Sequence, residues 1–212
     1  MNQRNFITVT WTLFVAVVLI GFVAWGQGIG WNFNGFNSYQ LFPLLGILAW
    51  LIMWTHYVIG SIRIKNPELQ KAALYSKVSS YIVLASLILH PGILAFEQFV
   101  NGQGLPPASY TAYAGQSMRL AVFLGMIGVT LFLAYEVLER FKKNSTLQKY
   151  WWVVSLSQSF AMTLIFVHAL RLGGSLGQEW FRIIWIVMGV ALLPCFYIIH
   201  TSDFQSFKTA KS

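Results

Sequence analysis

The sequence predicts an all-α integral membrane bundle of six helices with both termini cytoplasmic, on three observations. Charged residues are 9% of the 212 and hydrophobic residues 57%, whereas charged residues approach a quarter of a soluble domain. Six apolar stretches each come close to the ~20 residues a helix needs to cross ~30 Å of hydrocarbon. Lysine and arginine collect on one side of those stretches, as they do in cytoplasmic loops.

The first stretch, residues 6–25, follows Arg4 and is longer than the apolar core of a typical signal peptide, so it reads as a retained helix. The second is 41–62. The third, 78–96, contains Pro91, which a membrane helix tolerates by bending. The fourth, 120–135, and the sixth, 183–199, are short by charge-free length and extend outward past Arg119 and Arg182, whose long side chains reach the interface. The fifth is 150–170.

Eleven cations fall on one side: Arg4; Arg63, Lys65, Lys71 and Lys77; Arg140, Lys142, Lys143 and Lys149; Lys208 and Lys211. Arg119, Arg171 and Arg182 fall on the other. The net charge of +8 is therefore mostly topology. Scattered over separate loops, these cations form no groove-tracking patch, which argues against a nucleic-acid partner and for membrane lipid, with anionic headgroups as the expected contacts. The single cysteine, Cys195, excludes an internal disulfide and a thiolate metal cluster. With no linker, no Gly-rich dinucleotide fingerprint and no phosphate loop, residues 1–212 read as one membrane domain.

All four histidines lie in or at the ends of the stretches. At ~1.5 Å rise per residue, His90 and His168 fall in the outer half of the bundle, while His56 and His200 fall toward the inner face. An ionisable side chain in hydrocarbon faces the bundle interior or a partner. Each histidine alone is explained equally well by an interhelical hydrogen bond, and His200, beside Thr201, Ser202 and Asp203, by an interfacial position. As a set they offer imidazole pairs at two depths, and two imidazoles from facing helices are what a six-coordinate haem iron requires. Gly46, Gly60, Gly125, Gly128 and Gly189 would admit a flat macrocycle or simply close helix packing.

Length, six stretches, the basic loop before the third, the outer histidines His90 and His168, and the fifth-stretch run LQKYWWVVSLSQSFAMTLIFVHALRLG together resemble the ferric reductase-like transmembrane domain family. That family includes the membrane parts of ferric reductases and NADPH oxidases and the haem subunit of bacterial methionine sulfoxide reductase. Its third and fifth helices each carry two histidines about thirteen residues apart and bind one haem near each membrane face. The resemblance implies a b-type cytochrome of the bacterial cytoplasmic membrane, with His90 and His168 as axial ligands of an outer haem b iron. Arg119 and Arg171 would face the haem propionates or, equally well, stand as outer interfacial charges, with Arg182 a weaker candidate; Tyr110 and Tyr113, in the loop GLPPASYTAY, would cap the outer site or, the preferred reading, sit among lipid headgroups. Electrons would come from a quinol or a separate donor protein and leave to an acceptor at the outer face, and a flavin or quinone cofactor stays open.

The chain departs from the family at the inner positions, where Lys77 and Ser155 stand thirteen residues before His90 and His168. Either one haem is bound, or His56 and His200 hold a second, inner haem iron. A rival reading is a non-redox anchor or transporter subunit whose histidines make helix contacts or a proton relay. A carrier of that kind would pair them with intramembrane carboxylates, and Glu97, Glu136, Glu139 and Glu179 all stand at stretch ends.

Overall fold

The computed structural model describes the chain apart from Lys71, Lys143, Ser145, Thr146, Lys149 and residues 210–212, and without the side chains of 206–209. Seven α-helices occur among the described residues: α1 (Gln3–Gly28), α2 (Ser38–Lys65), α3 (Ala73–Val100), α4 (Ala108–Ala114), α5 (Arg119–Arg140), α6 (Trp151–Leu172) and α7 (Glu179–Thr209). All but α4 are long and apolar enough to cross a membrane. Six spanning helices in an all-helical chain make it an integral membrane protein, as the composition predicts.

Local chemistry starts the first two helices. Asn2 caps α1 by accepting from the Asn5 backbone N–H at 2.8 Å. Asn37 and Gln40 form a reciprocal capping box at the start of α2, which closes on Arg63 and Lys65 in its last turn, the favourable sign for a helix C-terminus. The helices run further than their charge-free cores. The sixth stretch ends at 199, yet α7 continues to Thr209, so His200 is interior to a helix rather than at its end. Pro43, Pro91 and Pro194 all lie inside helices. The segment GLPPASYTAY, expected as a loop, contains the short helix α4.

Between helices in lipid there is no hydrophobic driving force, so close packing and interhelical hydrogen bonds hold the bundle. The α2 helix is its centre: half of its most apolar window is buried, against 17–28% for the other spans. It packs on α1, α3 and α7, and α6 packs on α5 and α7 and touches α2. At the middle, Trp50 and Trp185 stack with centroids 4.0 Å apart, next to Phe166. Trp50 is fully buried and its indole N–H donates to the Met162 carbonyl at 3.4 Å, tying α2 to α6. Large apolar side chains such as Leu120, Ile183 and Leu193 point outward, the surface that hydrocarbon would cover.

The arrangement leaves one side open. Apart from α1, which packs on α2, and the short α4, the bundle consists of two hairpins, α2–α3 and α5–α6, bridged by α7. Among the described residues α3 and α5 do not pack along one another; only α4 spans them, at one end. A crevice therefore runs between α3 and α5, floored by α2 and α6. Removing the ring system at the centre should loosen both hairpins together: Trp50→Ala is expected to cost about 3–5 kcal/mol, the range for deleting a buried aromatic, measured as a lowered unfolding midpoint in detergent.

Candidate functional site in the interhelical crevice

His90 on α3 and His168 on α6 are held in the same way. A glycine on the neighbouring helix lets each imidazole lie against bare backbone. A Cβ on Gly46 would come within 2.8 Å of His90 Cε1, and one on Gly125 within 2.4 Å of His168 Nδ1. One turn before each glycine a backbone carbonyl accepts from the ring: His90 Nδ1–H donates to the Phe42 carbonyl at 2.7 Å, and His168 Nδ1–H to the Ala121 carbonyl at 2.8 Å. A carbonyl can only accept, so Nδ1 carries the proton in both rings and Nε2 keeps its lone pair. The tautomer is thus fixed by the fold. The same device serves metal-ligating histidines, whose second nitrogen is oriented by a carbonyl or carboxylate.

Both histidines line one cavity of about 990 Å³ in the half of the crevice nearest α4, at the upper end of the ~300–1,000 Å³ range of ligand sites. Its wall is mainly apolar, with Leu87, Val122, Met126, Val129 and Ile165 beside the glycines and Ser86 and Arg171 among its polar groups. Tyr110 and Tyr113 of α4 also line it, rather than standing only among headgroups. The Tyr110 hydroxyl donates to the Pro91 carbonyl at 2.7 Å, next to His90, while Tyr113 stacks on Tyr39 and meets the edge of Phe42. Burial pushes both phenols above their ordinary pKa, Tyr113 helped by Tyr39, so they stay neutral. The short helix thus acts as a fixed cover, tied to the proline that follows His90.

Of the two arginines expected at this level, Arg171 lies on the cavity wall. Arg119 stands over the Phe123 ring at 5.6 Å and is outside the lining. The hydroxyls nearest the histidines in sequence do not orient them: Thr163 donates to the Ser159 carbonyl, and the imidazoles use the carbonyls of Phe42 and Ala121 instead.

His56 and His200 are arranged differently. Ser79 gives its hydroxyl proton to the Tyr75 carbonyl at 2.6 Å, so at 2.7 Å it accepts from His56 Nε2–H. His200 Nε2 bonds the Ser159 hydroxyl at 3.0 Å, and Ser159 donates to the Tyr57 hydroxyl at 3.3 Å. Both Nε2 atoms are thereby engaged, and each contact crosses between helices, α2 to α3 and α7 to α6. His56 lines a second cleft of about 310 Å³, toward the basic ends of α2 and α5; His200 does not line it. The structure therefore does not bring the second pair to one cavity. Buried Met53 lines both the histidine cavity and this second cleft and stands at the waist between them.

Among the described residues no group of three or more His, Cys, Asp or Glu side chains is placed to hold a metal ion. What the histidine cavity offers is a pair of oriented imidazoles, glycine clearances beside both, an apolar wall and a cation at the wall. These features fit a flat, iron-centred macrocycle bearing carboxylates. Comparisons with protein-family models, curated proteins and solved structures give no match to this chain. The glycines are separable from the rest of the fold by mutation. Gly46→Ala and Gly125→Ala should each displace the adjacent ring, at about 1–3 kcal/mol of overpacking, with a larger loss of thermal stability for Gly125, where the approach is closer.

Proposed function

We propose that the protein is a membrane b-type cytochrome that passes single electrons to an acceptor at the outer membrane face, with His90 and His168 as axial ligands. The observation that carries this reading is the matched pair of imidazoles, each with Nδ1–H on a helix carbonyl and Nε2 left to a shared cavity. Haem b, when bound, supplies the one-electron chemistry. The chain's own residues do the rest. Phe42 and Ala121 carbonyls hold the ring tautomers and raise the basicity of the free nitrogens. Gly46 and Gly125 give the rings their place. Arg171 offers a charge to a carboxylate of the bound group, and Tyr110 and Tyr113 limit the access of water from the α4 end.

Lys and Arg counts support an orientation with both termini cytoplasmic and this cavity in the outer half, and the family resemblance supports a bacterial cytoplasmic membrane. The reading is of one haem per chain, because the Nε2 atoms of His56 and His200 are occupied by serines and the two rings share no cavity. Those contacts serve helix adhesion. A quinol in the membrane or a separate protein would be the donor. The resemblance to ferric reductase-like membrane domains agrees with this chemistry, and a flavin need not reside in the chain.

Purified protein is expected to show an intense Soret band, with sharp alpha and beta bands on reduction, and a pyridine haemochrome titration near one haem per chain. His90→Ala or His168→Ala should abolish the bands, whereas His56→Ala should leave the count unchanged. Colourless protein after expression with added haem would overturn the proposal in favour of a non-redox anchor or carrier.

A further inference from the structure

The inner half of the crevice has a chemistry of its own. The cleft beneath Met53 is lined by five charged side chains from four different segments: Arg63 at the end of α2, Glu136 and Glu139 in the last turns of α5, Lys142 just after α5, and Asp203 in α7. Among the described residues no ion pair joins any two of these five, although Glu136 also lies in the field of Arg140 and Asp203 near His200. Lys142 lies on the Trp151 ring at 4.2 Å, held at the cleft wall by a cation–π contact. The Nε of Arg63 is buried with no hydrogen-bond partner. Buried donors of a guanidinium are costly to leave unmade. Opposite charges that share a cleft without pairing, together with an orphaned guanidinium donor, mark a place shaped for a ligand that carries both signs.

The surroundings narrow the class. The cleft lies at the same end of the bundle as the basic ends of α2 and α5, where headgroups would stand if those helices span a bilayer. It lies in the crevice between α3 and α5, whose failure to pack opens it sideways toward lipid. Its floor is buried and apolar or aromatic, at Met53, Tyr75 and Phe132, while its mouth is polar and exposed, at Ser80, Glu139 and Lys142. An anionic headgroup would satisfy Arg63 and Lys142 but meet three carboxylates. A cation alone would satisfy the carboxylates and leave Arg63 orphaned. We infer that the inner cleft binds the zwitterionic headgroup of a phosphoethanolamine lipid. The phosphate would take the Arg63 and Lys142 donors, and the primary ammonium would donate to Glu136, Glu139 and Asp203. This revises the expectation of anionic headgroups at this one place, and it stands whatever the outer cavity holds.

A primary ammonium has three N–H donors, whereas a quaternary choline has none, so the two zwitterions separate hydrogen bonding from charge. The full chain, purified in detergent and stripped of lipid, is mixed with equal amounts of phosphatidylethanolamine, phosphatidylcholine and phosphatidylglycerol, and retained lipid is counted by native mass spectrometry. One phosphatidylethanolamine per chain should survive with about tenfold preference or more, equivalent to one well-made charged contact. Lys142→Gln and Glu139→Gln, both at exposed positions where folding is not at stake, should each lower retention severalfold, as should Arg63→Gln. Glu179→Gln at the start of α7 should not. Soluble glycerophosphoethanolamine at the same concentration should not displace the lipid, because it lacks the chains that enter sideways. Equal retention of the choline lipid, preference for phosphatidylglycerol, displacement by the soluble headgroup, or indifference to Lys142→Gln and Glu139→Gln would each overturn the proposal.

Discussion

A hydrogen bond from an imidazole Nδ1 to a helix carbonyl, made one turn from a glycine, is the constraint on which the rest of this structure turns. It occurs twice, from α3 onto α2 and from α6 onto α5. A histidine among apolar residues must satisfy a donor, and a helix carbonyl already bonded along its own helix has a second lone pair to give. The ring can reach that lone pair only where the intervening side chain is missing, which Gly46 and Gly125 provide. One contact therefore fixes three things: the spacing of the hairpin, the orientation of the ring, and the nitrogen left free. Any ligand chemistry of the cavity follows from the last of these.

The two hairpins are equivalent in this respect, and the sequence carries a trace of it. Gly46 precedes His90 by 44 residues and Gly125 precedes His168 by 43. Each pairs the carbonyl of the residue four before the glycine with the histidine of the following span. Because α2–α3 and α5–α6 meet through α7 and through a brief contact of α2 with α6, they diverge on the opposite side, and the crevice results. Its two halves differ as their wall residues differ. Toward α4 the wall is apolar and the polar groups are few and oriented; toward the basic ends of the helices it is charged, and Met53 separates the two.

Much of this was legible in the sequence. The six spans follow from apolar length alone, and counting rise per residue along two helices of the same direction puts His90 and His168 at a similar depth, where the structure brings them to one cavity. The inner pair was not legible, because depth does not determine which way a side chain points. His56 and His200 stand at similar heights, yet each finds a serine on the adjacent helix, Ser79 and Ser159, and only His56 reaches the cleft. Adjacency also separates Arg171, on the cavity wall, from Arg119, which stands over Phe123. The role of the glycines was hidden for a different reason. Gly46 and Gly125 look like any small residue at a membrane helix contact, and only the near-equal offset to a histidine sets them apart from Gly60 or Gly128. Glu136 and Glu139 looked peripheral at a span end in the sequence, but they converge with Asp203, Arg63 and Lys142 because α2, α5 and α7 border the same cleft.

The central claim is that both free Nε2 atoms bind one iron. The electron paramagnetic resonance spectrum of the oxidised protein tests it most directly, since it reads the spin state set by the axial ligands. A six-coordinate, low-spin ferric signal with two imidazole nitrogens, lost when either histidine is replaced, is the predicted result. A high-spin, five-coordinate signal, or a low-spin signal that survives replacement of His90, would contradict the account.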